Sequence, residues 1–401
     1  MFLNRYVKNK EYFMKKLFRV LVLFTIAVLL VFSGSCKHEN ENISPTPDKP
    51  TPNIKEEREG FVAVPVPKEV IIGKMPAYKV PYDTDIRRGA FVEGRKIKLS
   101  PYAIARHELT YKLYKEVYDW ASEHGYEFAE KSREGGMGKI GQEAEEEGMP
   151  VTQITWRDAV VWCNAYTEKT LTLQDCVYTV DGEVLKKSSN EKKAMPIDIN
   201  IKMDRTKKGF RLPTVAEWEY ASRFQKDNVN AENYGTEEKP IWLTCVNSAS
   251  GAKKPIGFVD MEKGSETWES LRDELLRLCV CDEWYDGTDF KKVSPPTKNT
   301  AKVGSKGMNA LGVFDMSGNV WEWCFDWYDE NPQNGDEQYK NEEGVIVDPA
   351  GPKSPVSGGF RADRGGSWKD NSYETALGVI DMWHSYGNAN NLGVRLVYSM
   401  E

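Results

Sequence analysis

The sequence predicts a mixed α+β domain built from many short elements. Three observations point there. Stretches with helical period begin at residues that cap helices. Apolar runs of strand length stand between them. Hydrophobic residues make up 40% of the 401 and charged residues 29%, which is enough apolar side chain for a sizeable core.

The chain opens on an export signal. Met14-Lys-Lys-Leu-Phe-Arg19 is a charged segment, Val20 to Phe32 is apolar, and Ser33-Gly-Ser-Cys36 supplies small residues for cleavage. The apolar run is too short for an ordinary membrane-spanning helix. Residues 1–35 therefore read as a signal peptide starting at Met1 or Met14. A cysteine directly after small residues resembles a lipobox, which makes Cys36 the acylated first residue of the mature protein. Ser33 departs from the Leu usual at its place, and a plain signal peptide ending near a cysteine is the other reading. Residues 36–59 hold Pro45, Pro47, Pro50 and Pro52 among Asn, Glu and Lys, and read as a lipidated, disordered tether.

The domain spans 60–401. Phe61-Val-Ala-Val-Pro65 and Arg95 to Ser100 read as strands. Thr110 caps a helix whose apolar face is Tyr111, Tyr114, Val117, Trp120 and Ala121. Thr155 caps a second helix, with Asp158 in its first turn and Trp156, Ala159, Val160, Cys163 and Tyr166 on its buried stripe. In Gly209-Phe-Arg-Leu-Pro-Thr-Val-Ala-Glu-Trp-Glu-Tyr-Ala-Ser-Arg223, Thr214 and Glu217 have capping-box spacing. Trp218 and Ala221 face the core there, and Arg211 is placed to pair with Glu219.

Several function classes fall away on composition. Lys and Arg are scattered, so no nucleic-acid footprint exists. Residues 1–36 carry six Lys/Arg and one Asp/Glu, so their removal takes the formal charge from −7 to −12. The histidines are His38, His107, His124 and His384, and no two have metal-ligand spacing. Beyond Cys36 the cysteines are Cys163, Cys176, Cys245, Cys279, Cys281 and Cys324; an even number permits disulfides, and free buried thiols are the favoured reading.

The blocks Arg211-Leu-Pro-Thr-Val-Ala-Glu-Trp-Glu-Tyr220, Gly318-Asn-Val-Trp-Glu-Trp323, Arg364-Gly-Gly-Ser-Trp368 and Asn391-Leu-Gly-Val-Arg395 together resemble the formylglycine-generating (sulfatase-modifying factor) family. The resemblance implies a C-type lectin-like fold with much irregular chain, and with surface insertions near 170–208 and 224–300, where the match is weaker. Catalytic members bind copper(I) through two cysteines just after the Gly-Gly-Ser-Trp block. Here Asp370 and Thr375 stand at those places, and neither is a soft ligand. The resemblance thus implies a domain without formylglycine chemistry and without catalytic residues, Cys279 and Cys281 lying far off in an insertion. It also implies a calcium site at Asp315, Gly318, Val320 and Glu322. The competing reading is that Gly318-Asn319 makes a tight turn and Glu322 pairs with an arginine.

Between Trp368 and Asn391 the chain departs most from the family. Asp370, Asn371, Tyr373, Asp381, Trp383, His384 and Tyr386 mix rings with short polar groups, a composition suited to binding a protein or other surface ligand. Leu377, Val379 and Ile380 belong to a core strand instead. A distinctive patch framed by intact blocks resembles the variable proteins of diversity-generating retroelements. The leading expectation is a lipoprotein at the bacterial surface, anchored to the membrane by its lipid, with a non-catalytic ligand-binding domain. An envelope scaffold of the gliding-motility type and a formylglycine-generating-like oxidase are the alternatives.

Overall fold

A computed structural model describes residues 58–77, 88–189, 196–254, 267–356 and 358–400. The signal peptide, Cys36 and nearly all of the tether lie outside these. Among the described residues, no helix is long and apolar enough to cross a membrane.

Strand β1 (Phe61–Ala63) and strand β2 (Tyr102–Ala105) precede helix α1 (Tyr111–Glu123) and helix α2 (Trp156–Thr170). Strand β3 (Phe210–Arg211) leads into helix α3 (Val215–Arg223), and helix α4 (Trp268–Leu278) into the hairpin β4 (Glu283–Tyr285) and β5 (Phe290–Lys292). The C-terminal part adds β6 (Trp321–Trp327), β7 (Phe360–Arg364), β8 (Ile380–His384), β9 (Leu392–Gly393) and β10 (Val397–Ser399).

The helices start where the caps require. Thr110 accepts from the Leu113 N–H, Thr155 from Asp158 and Thr214 from Glu217, each satisfying a donor that the first turn leaves open. At Thr214 the box closes in both directions, because Glu217 Oε2 also accepts from the Thr214 N–H at 2.9 Å. Helix α1 stops at Gly125, which takes φ +81°, while Tyr126 N–H bonds back to Ala121 O at 3.1 Å.

Two four-stranded sheets organise the domain. The first has order β1-β2-β10-β3 and is antiparallel throughout, so it ties the two ends of the domain together. The second has order β8-β7-β6-β9, with β9 parallel to β6 and the other pairs antiparallel. Strand alternation sends Trp321 and Trp323 into one apolar cluster with Trp156, Trp162 and Leu392. It sends Cys324, Ala362 and Ile380 into another with Trp218 and Ala221. Trp156, Trp162, Trp218 and Trp323 are all fully buried, and each such burial contributes roughly 2–3 kcal/mol.

Helix α2 is buried on all sides through most of its length rather than along one stripe, and α3 is buried at all nine positions. The charged residues of α3 must therefore find partners inside. Arg211 pairs with Glu217, at 2.7 and 2.8 Å, and not with Glu219 as its sequence position suggested. Two residues along a helix turn a side chain by roughly 200°. Glu219 accordingly faces away, where it pairs with Arg223 at 2.6 Å and Arg364 at 2.8 Å and accepts from the Ala90 N–H. The stretches expected as surface insertions contain ordered structure. Residues 178–180, 183–184 and 202–203 form a small sheet, and buried Asp198 pairs with Arg157 at 2.6 Å. Helix α4 and its hairpin close a third apolar cluster containing Leu275, Leu278, Cys279 and Cys281.

Candidate functional site

The seven residues of the expected C-terminal surface fall into two groups. Asp370, Asn371 and Tyr373 lie beneath the hairpin that follows α4. Asp282 N–H donates to Asp370 O at 2.8 Å, and Ser372 N–H to Glu283 O at 2.9 Å. Tyr373 packs between Tyr285 and Phe290, at ring distances of 5.2 and 4.6 Å, and is 7% exposed. The Asp370 carboxylate accepts from the Trp321 indole at 2.9 Å and from the Ser367 hydroxyl, and burial raises its pKa. Asn371 Oδ1 accepts from the Tyr373 N–H at 2.8 Å and shapes the turn. The Tyr373 ring is therefore interior, correcting its place in the expected contact surface.

Asp381, Trp383, His384 and Tyr386 remain together on and beside β8. Strand alternation turns Trp383, 39% exposed, to the side opposite His384. The His384 ring stacks on Phe360 at 4.1 Å and on Tyr386 at 4.8 Å. Its Nδ1 is buried without a hydrogen-bond partner. Arg157, held by Asp198, sits 5.5 Å above the Tyr386 ring. Asp381 and Trp383 thus share one side of a paired strand while the stacked rings of Phe360, His384 and Tyr386 stand on the other, and such rings are contact area with little side-chain entropy to lose.

Sequence reasoning missed two interior groups under this surface. Asp363 lies directly across from Asp381 in the strand register and is fully buried, with no partner for either oxygen. Burial and the nearby Asp381 and Asp370 carboxylates push its pKa well above the ordinary value. The Arg361 guanidinium is sandwiched 3.6 Å from the Trp156 ring and 3.4 Å from the Trp327 ring. It donates to Phe325 O at 2.7 Å and Asp198 O at 2.9 Å.

At the turn where the resemblance implied calcium, Asp315, Gly318 and Asn319 all have positive φ. Gly318 N–H bonds to Gly365 O at 2.7 Å, which joins this block to the Gly-Gly-Ser-Trp block. Glu322 is committed elsewhere: Arg395 Nη2 lies 2.7 Å from Oε1, Arg395 Nε lies 2.9 Å from Oε2, and the Trp218 indole donates to Oε2 at 2.6 Å. Asp315 takes the Gly304 N–H, and Val320 donates its own N–H to Glu108 at 3.2 Å. One Asp315 oxygen is buried without a partner, but Glu322, the other carboxylate of the expected shell, is taken by Arg395 and Trp218, so the set does not fit a calcium shell. The geometry is the tight turn and arginine pair. Burial and the nearby Asp315 and Glu322 raise the Glu108 pKa well above normal, and burial lifts Asp315 to about 6.

Thr375, at the second family cysteine position, is fully buried. Cys279 and Cys281 are free buried thiols. The chain brings Cys279 against Gly318, where its sulfur lies 2.5 Å from the position a Cβ would take. Burial and Cys279 raise the Cys281 pKa. Among the described residues, no group of three or more His, Cys, Asp or Glu could hold a metal ion.

Fold and site together define a class: an irregular α+β domain whose glycine-rich blocks are welded by buried ion pairs. The sulfatase-modifying factor enzyme 1-like domain matches residues 82–400, and the chain belongs to that family. It is 27% identical over 249 residues to "Chaperone protein LppX" of Paenibacillus barcinonensis, covering 60% of this chain and 68% of that protein. It is 28% identical over 160 residues to the formylglycine-generating enzyme of Thermomonospora curvata, covering 40% of this chain and only 39% of the enzyme. "Treponema denticola variable protein 1" shares the fold with a TM-score of 0.53 and 22% identity, covering 85% of this chain and 95% of that one.

Proposed function

We propose that this is an exported, lipid-anchored binding module, displayed at the bacterial surface, that contacts a protein or other ligand through Asp381, Trp383, His384 and Tyr386. The observation that carries the reading is the contrast between the two halves of the C-terminal segment. Tyr373 is covered by the hairpin β4–β5, whereas β8 holds an exposed indole on one side and two stacked rings on the other. Rings presented on a paired strand suit recognition. Nothing about the half-buried Asp370 and the buried Thr375 suits redox chemistry on a cysteine substrate. Export and anchoring rest on the Ser33-Gly-Ser-Cys36 signal, and the name of the Paenibacillus relative is compatible with them. Diversification of this patch is part of the proposal.

Four experiments test it. Labelling with a fatty acid is expected in the full chain and absent in Cys36→Ala. On peptide and glycan arrays, Trp383→Ala and Tyr386→Ala are expected to abolish whatever signal the native domain gives. Conversion of a cysteine peptide to its aldehyde by the copper-loaded protein would overturn the non-catalytic reading. Sequencing the locus tests diversification: a near-copy of codons 365–395 differing at adenines beside a reverse transcriptase gene is expected.

A further inference from the structure

A concavity opens at the end of β6, between the start of α3 and the chain from Tyr328 to Pro352. It has a volume of about 40 Å³, room for about three water-sized groups. Trp327, Tyr328, Tyr339, Pro332 and Pro352 wall it, and neither Trp383 nor His384 takes part. The walls are fixed in place. The Tyr339 hydroxyl donates to Gly351 O at 3.0 Å, and Gln338 Nε2 donates to the same oxygen at 2.9 Å. Gly351 has φ +75° and lets the chain pass this close, because a Cβ there would come within 2.9 Å of the Asp326 Cβ.

The carboxylates of Asp326, Asp329 and Asp336 share the lining with one guanidinium, that of Arg95. Arg95 and Asp336 neutralise each other, since Nε and Nη2 lie 2.9 and 2.7 Å from the two carboxylate oxygens. Asp326 is 6% exposed and pairs with no cation among the described residues. Its Oδ2 accepts from the Val215 N–H at 3.0 Å, while Oδ1 takes no donor from another described residue and stays open to the concavity. Asp329 Oδ1 is held by the Asn331 N–H and the Asn334 amide at 2.9 and 3.0 Å, again without a cation. The cations near Asp326 are occupied. Arg205 is shared by Glu217 at 3.2 Å and Asp348 at 3.3 Å, and Arg361 is stacked between Trp156 and Trp327. Glu217, Tyr339 and Cys324 are the other titratable groups around Asp326, and burial lifts its carboxyl to about 7.

These features select one ligand chemistry. An anion would meet two carboxylates that have no cation partner. An apolar guest would seal the open Asp326 oxygen from water. A multivalent metal needs several converging oxygens, and among the described residues no three acids come together to hold one. A quaternary ammonium head is too large for about three water-sized groups. A primary ammonium is small, carries one positive charge and donates to a carboxylate, and its methylene stem suits walls of rings and proline. We propose that this concavity binds the primary ammonium group at the end of an alkyl chain, as a lysine side chain of a protein partner or a free diamine presents it. The nitrogen donates to Asp326 Oδ1, and the first methylenes lie along the ring and proline walls.

The test uses the full chain and n-butylammonium, read by saturation-transfer NMR. So few bound atoms give a dissociation constant of about 1 mM at best, and saturable binding in that range is expected at pH 8. The ammonium binds the ionised carboxylate, so affinity should fall by about a hundredfold from pH 8 to pH 5, through the Asp326 pKa of about 7. Asp326→Asn keeps an oxygen for the Val215 N–H and should abolish both the binding and its pH dependence. Its unfolding temperature verifies the fold, and should it unfold, the pH profile of the native chain decides alone. Asp329→Asn should weaken binding by about threefold. The neutral n-butanol and the bulkier tetramethylammonium should not bind. Nα-acetyl-lysine amide distinguishes the sources: binding equal to n-butylammonium identifies a protein lysine, and its exclusion identifies a free amine. Absence of saturable n-butylammonium binding overturns the proposal. So does binding that is equal at pH 5 and pH 8, unchanged in a folded Asp326→Asn, or matched by n-butanol or tetramethylammonium.

Discussion

Arg395→Met isolates the pair that holds the C-terminal block to the Gly-Asn-Val-Trp-Glu-Trp strand. Arg395 is fully buried, contacts both Glu322 oxygens, and donates to Ala105 O at 2.9 Å and Phe314 O at 2.8 Å. It is also the cation facing two further buried acids, Glu108 and Asp315. Methionine keeps much of the volume but leaves Glu322 unpaired beside those acids. Removing one partner of a buried pair costs about 3–5 kcal/mol, most of it the penalty for the charge left behind. Unfolding entropy near 2.1 cal/mol/K per residue gives about 0.7 kcal/mol/K for a domain of about 345 residues. The melting temperature should therefore fall by about 4–7 °C. The assay is thermal unfolding by circular dichroism at neutral pH. The double variant Arg395→Met with Glu322→Gln should recover part of the loss, since no charge is stranded. A loss under about 1 kcal/mol, or a double variant worse than the sum of the singles, would refute the argument.

The other predictions concern pH, exposure, calcium and the buried arginine. Asp315 is held protonated up to about pH 6 in the folded state, against 3.8 for the free group. The folded state then binds the extra proton, so stability is lost as pH rises from about 4 to about 6, by roughly 3 kcal/mol. Asp315→Asn should flatten that slope in urea titrations, and an unchanged slope would refute it. Tyr373→Ala should cost about 3–5 kcal/mol, as for a buried ring, whereas Trp383→Ala should stay within about 1 kcal/mol; equal costs would contradict the division of the surface. Calcium or a chelator should not move the melting temperature of the native domain, because Glu322 is already taken by Arg395; a rise with calcium would restore the site. Arg361→Lys should cost about 2–4 kcal/mol, since an ammonium cannot stack between Trp156 and Trp327 while reaching both carbonyls. A neutral result there would show the stack to be incidental.

Local rules read well from sequence and long-range ones did not. Thr110, Thr155 and Thr214 announce their helices because a cap and its acceptor lie three residues apart. Trp218 follows from the helical period. Tyr373 could not be placed this way. A ring followed by a carboxylate looks the same whether it meets solvent or Phe290, and its partner comes from a hairpin some eighty residues earlier. Pairing Arg211 with Glu219 failed because proximity in sequence ignores which side of the helix each residue occupies. Asp363 was missed because an acid in an alternating strand reads as an outward position. Here both sheet faces are buried, so no outward position exists there.

Burial of both faces also explains how the domain stays rigid without disulfides or a metal among the described residues. The short strands contribute little alone, since a strand of two to five residues makes few ladder bonds. Charge pairs that cross between elements do the joining: Glu219 ties α3 to β7 through Arg364, and Glu322 ties β6 to the start of the last strand through Arg395. The Trp218 indole links the two sets, lying 4.8 Å under Arg364 while donating to Glu322. Such pairs are directional, so they fix the register of irregular chain that apolar packing alone would leave loose. Arg364 also holds the Val379 and Leu377 carbonyls just before the edge strand β8, and just after it Ser385 bonds to Asp198 while its partner Arg157 lies over Tyr386. A change at the exposed Trp383 can therefore alter what the surface meets while leaving the Glu219 and Glu322 pairs that frame it in place.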